Sequence, residues 1–540
     1  MLLGATALAG LIAFVLCLPA VWAAPLNVDE EVTMAIAPRP FGEIWSIVWG
    51  KRGGGPLHFF LEHATLSWPG GLVGLRGPSI VFFLATLPAA ALIARELAGR
   101  AAAVAAVLLL GAAPLAVSFA TFGRPHVLLM AWIAWGLWLG LLAARDGGVV
   151  RWLAAALALA ASAFVHPIGP LYAVAALAAA LVYAERSPRA VGREAWPGVV
   201  SFALVLVPYY LHSVHVLKNR YGVGAGQRGR TYSGNSVLHD ALTAVAPSTS
   251  HVVNAFTVAA LAGAIALFVQ RRGRAALVPV LLLAAPVVFF TFVPSHGRSA
   301  LFFTRYMLPA LPTFLALAGA GCSAAAGLLP RGRWVALGLL VALLGGLELR
   351  DNLTRIDQVR GLHLGGVVHA VREADATVFG GTGTIGRSGH IETLSYGRPP
   401  TLVDQYLALR IDGLDRVDDS SCVPAVRFLR AAGTPRRGAW VFYAARPDEL
   451  RAGARALPRA RLLDGGFLLV RSEPLAPPAL LEEGLRLRRA WKRAVPRDFK
   501  VDYLIRADET ALRSPASCKP LGEFDDPDIT PARTIPSPGG

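Results

Sequence analysis

Three acidic residues stand together in Leu26-Asn27-Val28-Asp29-Glu30-Glu31, directly after an apolar run that opens the chain. A carboxylate held where a membrane meets water can take the proton from a hydroxyl as its oxygen attacks an electrophile. The same residues can cap a short helix, with Asp29 at its start and Glu30 and Glu31 in the first turn, where the helix dipole favours negative charge. Read alone, the segment leaves both uses open, and capping is the simpler. Cations recur beside later apolar runs at Arg76, Arg124, Arg298 and Arg305, the last followed by Tyr306. A guanidinium there can grip a phosphate through two parallel hydrogen bonds, or merely reach for lipid head groups. His58, Glu62 and His63 invite a metal reading. The spacing lacks the paired histidines of a zinc protease helix and no third ligand is evident, so no metal and no cofactor are expected; substrate contact or packing is.

The elements that must position these groups are membrane spans. The chain has 540 residues, 54% hydrophobic and 16% charged, against about 25% charged in soluble domains. Its apolar residues fall in runs long enough to cross a hydrocarbon core as helix. These runs lie near 2–24, 77–95, 101–122, 126–144, 152–165, 167–184, 197–214, 252–270, 275–293, 300–328 and 333–349, about eleven spans with boundaries uncertain by several residues. Spans so free of charge carry no ion relay, which argues against a pump or ion-coupled transporter.

The links at 95–100, 144–151, 185–193, 270–274 and 330–333 carry an arginine excess and belong on the cytoplasmic side. Because both flanks of 152–184 are basic, the chain must go out and come back within it, turning at His166-Pro167-Ile168-Gly169-Pro170. Counting on places 25–76, 122–126, 166–170, 215–251, 294–300 and everything after 350 outside. A cleaved secretory signal at the N-terminus is the alternative for the first run, but the segment lacks a basic start. The formal net charge of +17 is explained by these loops meeting anionic lipid, so nucleic acid is not an expected partner. Lys218, Arg220, Tyr221, Arg228, Arg230 and Tyr232 form a basic aromatic loop that suits a lid, an acceptor contact or a merely solvated segment.

After residue 350 hydropathy falls. Short β-type runs at 377–380, 401–403, 440–443 and 467–470 alternate with helical patterns near 423–431, 447–456 and 479–492, the pattern of a small α/β domain over 351–513. The Pro-rich tail at 514–540 lacks the apolar residues to order itself. Cys17 and Cys322 sit in apolar runs, while Cys422 and Cys518 could pair in an oxidising compartment. Gly381, Gly383 and Gly386, with Asp404 further on, imitate a dinucleotide-binding fingerprint, although Gly389 interrupts the required helix. Asn352-Leu353-Thr354 matches a glycosylation sequon, a frequent chance match.

The ordered set of motifs resembles one family. An Asp29-Glu30 pair outside the first span, Gly55-Pro56-Leu57-His58-Phe59-Phe60, then Arg76-Gly77-Pro78-Ser79 opening the second span resemble the GT-C superfamily of membrane glycosyltransferases. The nearest branch is that of protein O-mannosyltransferases and lipid A aminoarabinose transferases. Residues 95–100, the stretch Ser118 to His126, and Arg305-Tyr306-Met307-Leu308-Pro309 extend the likeness over 25–145 and 295–330. Relatives carry His-Pro-Pro-Leu-Tyr and Arg-x-Tyr where this chain has Gly-Gly-Pro-Leu-His and Arg124-Pro125-His126.

The resemblance implies a polytopic α-helical protein with a catalytic region over 1–350, while the arginine count of the links places the first loop, 25–76, and the C-terminal domain outside the cytoplasm. It implies transfer of a sugar from a polyprenyl-phosphate donor, with inversion, to a glycan, lipid or protein acceptor at the outer face of the cell membrane. Asp29 is then the base and Glu30 its positioning partner. Arg124, Arg298, Arg305 and Tyr306 hold the donor phosphate, and His58, Arg76 and His126 contact substrate. A lipid or polymer transporter, or a membrane-anchored scaffold with an outer binding domain, are the alternatives.

Overall fold

The computed structural model describes residues 1–23, 30, 33, 36–51, 54–66, 72–221, 234–245, 253–295, 304–361, 390–395, 438–443, 455, 460–463 and 467–472. The chain divides into two units, Met1–Val21 with Ala37–Thr354, and Trp22–Ile36 with Arg355–Gly540.

In the first unit each expected apolar run lies on helix. The helices are Leu2–Ala23, Leu72–Ala98, Arg100–Ala112 with Pro114–Ala120, His126–Asp146, Val149–Ala161, Gly169–Tyr183, Pro188–Tyr221, Val253–Val269, Gly273–Ser295, Leu311–Gly327 and Arg333–Gly361. Among the described residues seven helices are long and apolar enough to cross a membrane, and Arg100–Ala112 with Pro114–Ala120 makes an eighth as a pair bent by 50°. The apolar helices over 149–164, 169–183 and 255–269 are shorter. Long and short helices alike carry exposed side chains such as Leu204, Leu261 and Leu339, which water would not tolerate in such number. The chain is a multi-pass membrane protein.

Two breaks have clear causes. Pro114 cannot continue the helix before it, and Ala113 is extended (φ −61°, ψ 117°) as residues preceding proline tend to be. Asn352 Nδ2 donates to Ala112 O at the bend, at 2.6 Å, and to Glu348 O at 3.0 Å. That side chain is only 1% exposed, so Asn352 is not an accessible glycosylation acceptor. The second break separates Val149–Ala161, extended by the 3-10 turn Ser162–Phe164, from Gly169–Tyr183, where Pro167 and Pro170 interrupt the helix.

Arg305–Gly327, which includes Leu311–Gly327, is the most enclosed span among the described residues, 89% buried over its most apolar stretch. Lipid tails are as apolar as leucine, so helices in a bilayer associate through close van der Waals contact between small residues. Gly321 lies against the Ala259 backbone, Gly263 against the Leu317 carbonyl, and Gly319 against the backbone of Ala102 and Ala106. This span therefore touches Val253–Val269 and Arg100–Ala112 backbone to backbone.

The links sort into two groups. Those rich in arginine meet one another: Arg145 Nη1 donates to Glu96 Oε2 at 2.7 Å, Tyr183 to Glu96 Oε1 at 3.1 Å, Arg272 to Glu96 O at 2.8 Å, and Arg274 to Ala184 O. Arg186 and the Gly148 amide both donate to Glu194. The turns of opposite parity gather elsewhere, and they contain the candidate site.

The second unit contains a four-stranded sheet in the order β1-β2-β4-β3, with β1 at His390–Ser395, β2 at Gly438–Tyr443, β3 at Ala460–Leu463 and β4 at Phe467–Ser472. β1 runs parallel to β2, and the other pairs are antiparallel, with Trp440 opposite Val470 and Leu462 opposite Leu468. β2 and β4 cover the runs expected at 440–443 and 467–470, whereas β1 and β3 were not anticipated. The runs at 377–380 and 401–403, the helical patterns (residue 455 apart), Gly381 to Gly386, Asp404, Cys422, Cys518 and the tail lie outside the described residues.

Candidate active site

The turn that carries Arg124 is held from two elements. Ser79, on Leu72–Ala98, donates its hydroxyl to Phe122 O at 2.8 Å. His58, on the first-loop helix Leu57–Thr65, places Nε2 3.2 Å from Gly123 O, and since a carbonyl only accepts, Nε2 bears the hydrogen. Gly123 sits against Leu75 with no room for a Cβ, so the turn lies flat on the helix. Arg124 and His126 follow at once.

His58 is 3% exposed. Burial, and then the Arg124 charge, push its pKa down to about 3. Its Nδ1 is 3.8 Å from Glu62 Oε1, but a neutral ring with its hydrogen on Nε2 makes no ion pair there. The contact is proximity alone. Among the described residues no group of three His, Cys, Asp or Glu could hold a metal ion.

The first loop is fixed by aromatic side chains. After the short helix Phe41–Trp45 the chain forms a π turn over Ser46–Lys51. Trp49 stacks on Phe164 at 5.8 Å and on His212 at 4.4 Å between ring centroids, and lies against Tyr209 at 5.1 Å. His212 Nε2 is 3.0 Å from Trp49 O. Gly55 approaches the Phe164 and Val165 backbone so closely that a Cβ would collide with main-chain atoms, which accounts for a glycine at this position.

The third contributor is the 3-10 segment Thr304–Ala310. Tyr172 donates to Tyr306 O at 2.5 Å, and the Tyr306 ring stacks on Phe290 at 5.3 Å. The His166 ring lies 5.0 Å from His126 and 6.0 Å from Tyr306, so the Arg124 turn and the Arg305 segment, far apart in the chain, adjoin. The His126 ring packs against Phe119 at 5.5 Å and His166 at 5.0 Å. His126 is 4% exposed and its Nε2 is buried with no hydrogen-bond partner.

Of the residues singled out from the sequence, Arg124, His126, Arg305, Tyr306 and His58 thus gather at one end of the bundle. Arg76 is fully buried and donates to Val21 O at 2.9 Å and Ala20 O at 3.4 Å, fastening the C-terminal end of the first helix. Glu30 is buried, and Asp29 and Arg298 lie outside the described residues. Sequence reasoning missed His166, Tyr172, Phe290 and Trp49 as parts of this region. For His166 the signal was present, since His166-Pro167 marked the turn, but only its backbone was read.

A bundle of apolar helices with a bent third span and a helical first loop has the GT-C fold. Residues 59–212 match the family model described as dolichyl-phosphate-mannose-protein mannosyltransferase. No curated protein matches the chain. Among solved structures, apo ArnT from Cupriavidus metallidurans is similar at a TM-score of 0.52 and 16% identity, over 87% of this chain and 98% of that one. ArnT from the same organism bound to undecaprenyl phosphate gives 0.49 and 16%, over 88% and 98%. Archaeal oligosaccharyltransferase AglB from Archaeoglobus fulgidus, in complex with an inhibitory peptide and a dolichol-phosphate, gives 0.48 and 13%, over 68% and 57%.

Proposed function

We propose that the chain is an inverting glycosyltransferase that moves a sugar from a polyprenyl-phosphate donor to an acceptor hydroxyl at the outer face of the cell membrane. The meeting of the Arg124 turn with the Arg305–Tyr306 segment, through the His126, His166 and Tyr306 rings, carries this reading. Two guanidinium groups on adjoining segments suit an anionic phosphate. The family match over 59–212, which begins within the first-loop helix and includes the Arg124 turn, supports it.

In this reading the acceptor oxygen bonds to the anomeric carbon from the face opposite the phosphate, the carbon–phosphate-oxygen bond breaks, and Asp29 takes the hydroxyl proton. Polyprenyl phosphate departs as a stable anion, so it needs cations rather than a general acid, unlike the alkoxide leaving group of a glycosidase. Arg124 and Arg305, with Arg298 and Tyr306, stabilise its charge. Glu30 orients Asp29. His58 and Arg76 act by position, the first through the Gly123 carbonyl and the second through the end of the first helix. His126 contacts the donor. The shorter helices complete eleven spans and leave residues 351–513 outside.

The test is Asp29→Asn in full-length protein supplied with lipid-linked sugar. Transfer should fall by about three orders of magnitude with membrane insertion and thermal stability unchanged. Turnover close to wild type would remove the assigned base.

A further inference from the structure

The helix Phe41–Trp45 and the π turn Ser46–Lys51 carry two neighbouring rows of residues, each spaced about one turn apart. One row is aromatic: Phe41, Trp45 and Trp49. The row beside it, Gly42, Ser46 and Gly50, is small. Trp49, stacked on Phe164 and His212, runs nearly parallel to Trp45, with 5.2 Å between ring centroids and 20° between planes. Trp45 is in turn nearly parallel to Phe60, at 7°, and Phe41 is held by Phe60 and His63. Despite these contacts Phe41 remains 56% and Trp45 43% exposed. Ser46 is exposed as well, and the space where a Cβ of Gly42 or Gly50 would stand is open. The fixed rings therefore border an open shelf.

We propose that this shelf binds a sugar ring of a glycan acceptor, which names the acceptor class and rests on the glycosyl transfer proposed above. A sugar ring presents C–H groups on its flat sides and hydroxyls around its rim. The weakly positive C–H groups are drawn to the negative face of an indole, while the rim finds the Ser46 hydroxyl and water. A bilayer is the other partner that exposed tryptophan suits. A helix lying in lipid, however, shows a broad apolar face, and here glycine and serine fill the strip beside the rings. Neither adds apolar area. Position also favours the acceptor: Phe164, stacked on Trp49, stands two residues before His166, whose ring adjoins His126 on the Arg124 turn. The aromatic row leads from the open shelf to the region that carries the arginines.

Binding is measured on the detergent-solubilised full-length protein with labelled short oligosaccharides, prepared by partial hydrolysis of envelope polysaccharide from the cells that carry it. Wild type should bind them, and Asp29→Asn should bind them equally well because it alters the base and not the shelf. Trp45→Leu keeps apolar bulk but loses the ring face, and should weaken binding by about tenfold or more. Trp45→Phe should recover most of the affinity. Gly42→Leu leaves every ring in place and fills the shelf, so it should weaken binding to a similar degree with the thermal midpoint unchanged. In vesicles of brominated phosphatidylcholine, Trp45→Phe should leave the amount of lipid-quenched tryptophan fluorescence as in wild type.

Affinity within about twofold of wild type in either leucine variant overturns the proposal. A fall in lipid-quenched fluorescence on removing Trp45 would place that ring in the bilayer and overturn it too. So would a wild type that binds none of the oligosaccharides, a result that leaves transfer to another acceptor class standing. Oligosaccharide binding by a protein that moves no sugar from a lipid-linked donor would remove the transfer reading and keep the shelf. The two failures are therefore told apart.

Discussion

A histidine held neutral at the edge of a cluster of arginines leaves a mark on stability. His58 has a folded-state pKa of about 3 against an ordinary value near 6.5. The folded protein excludes a proton that the unfolded chain binds, so nothing is lost above pH 6.5. Stability then declines as pH falls toward the folded value, by up to about 1.4 kcal/mol per pH unit. The thermal midpoint of the solubilised protein should drop steadily between pH 6.5 and 4.5, and His58→Gln should make that drop shallower. An unchanged profile in His58→Gln would show that other groups dominate. Arg305 gives a second residue-scale prediction. Lysine keeps the charge but not the planar fork that holds two phosphate oxygens. Arg305→Lys should lower kcat by roughly ten- to a hundredfold while the acceptor KM stays within about twofold, as read from sugar-transfer kinetics.

At the scale of elements, the spans associate through glycine. Gly321 faces the Ala259 backbone with no space for another carbon, while Gly338, on the last span, has nothing within 4 Å of where a Cβ would stand. Gly321→Val should force two helices apart and cost about 1–3 kcal/mol, read as a lower thermal midpoint and a smaller monodisperse peak on size exclusion; Gly338→Val should do neither. The spans themselves were legible in the sequence because each is a continuous apolar run, and a turn at 166–170 because basic flanks and prolines demanded one. Which turns meet was not legible. His58 reaches Gly123 and Tyr172 reaches Tyr306 across long stretches of chain, and hydropathy carries no record of such pairs. Arg124 and Arg305 could be singled out from type and order, whereas His166 looked like part of a turn because its ring meets His126, forty residues away in sequence. β3 escaped because it is only four residues long, although Asp464-Gly465 before Phe467 was a hairpin signal.

At the scale of the whole membrane unit, two sets of loops separate by charge. Glu96, Arg145, Tyr183, Arg186, Glu194 and Arg272 interlock at the arginine-rich links, while the first-loop helix, the Arg124 turn, the His166 turn and the Thr304–Ala310 segment gather apart from them. Basic loops are retained in the cytoplasm, so the gathered site should open to the opposite side. Single cysteines at Ala64, exposed on the first-loop helix, and at Val150, 78% exposed beside the basic links, report the two faces once Cys422 and Cys518 are replaced by serine. Cys17 and Cys322 are buried and should stay silent. In intact cells an impermeant maleimide should label Ala64→Cys and spare Val150→Cys until the membrane is permeabilised. The reverse pattern would turn the arginines and the acidic segment toward the cytosol. A lipid-linked sugar presented at the outer leaflet could not then reach them, and the proposed transfer would be excluded together with the sidedness.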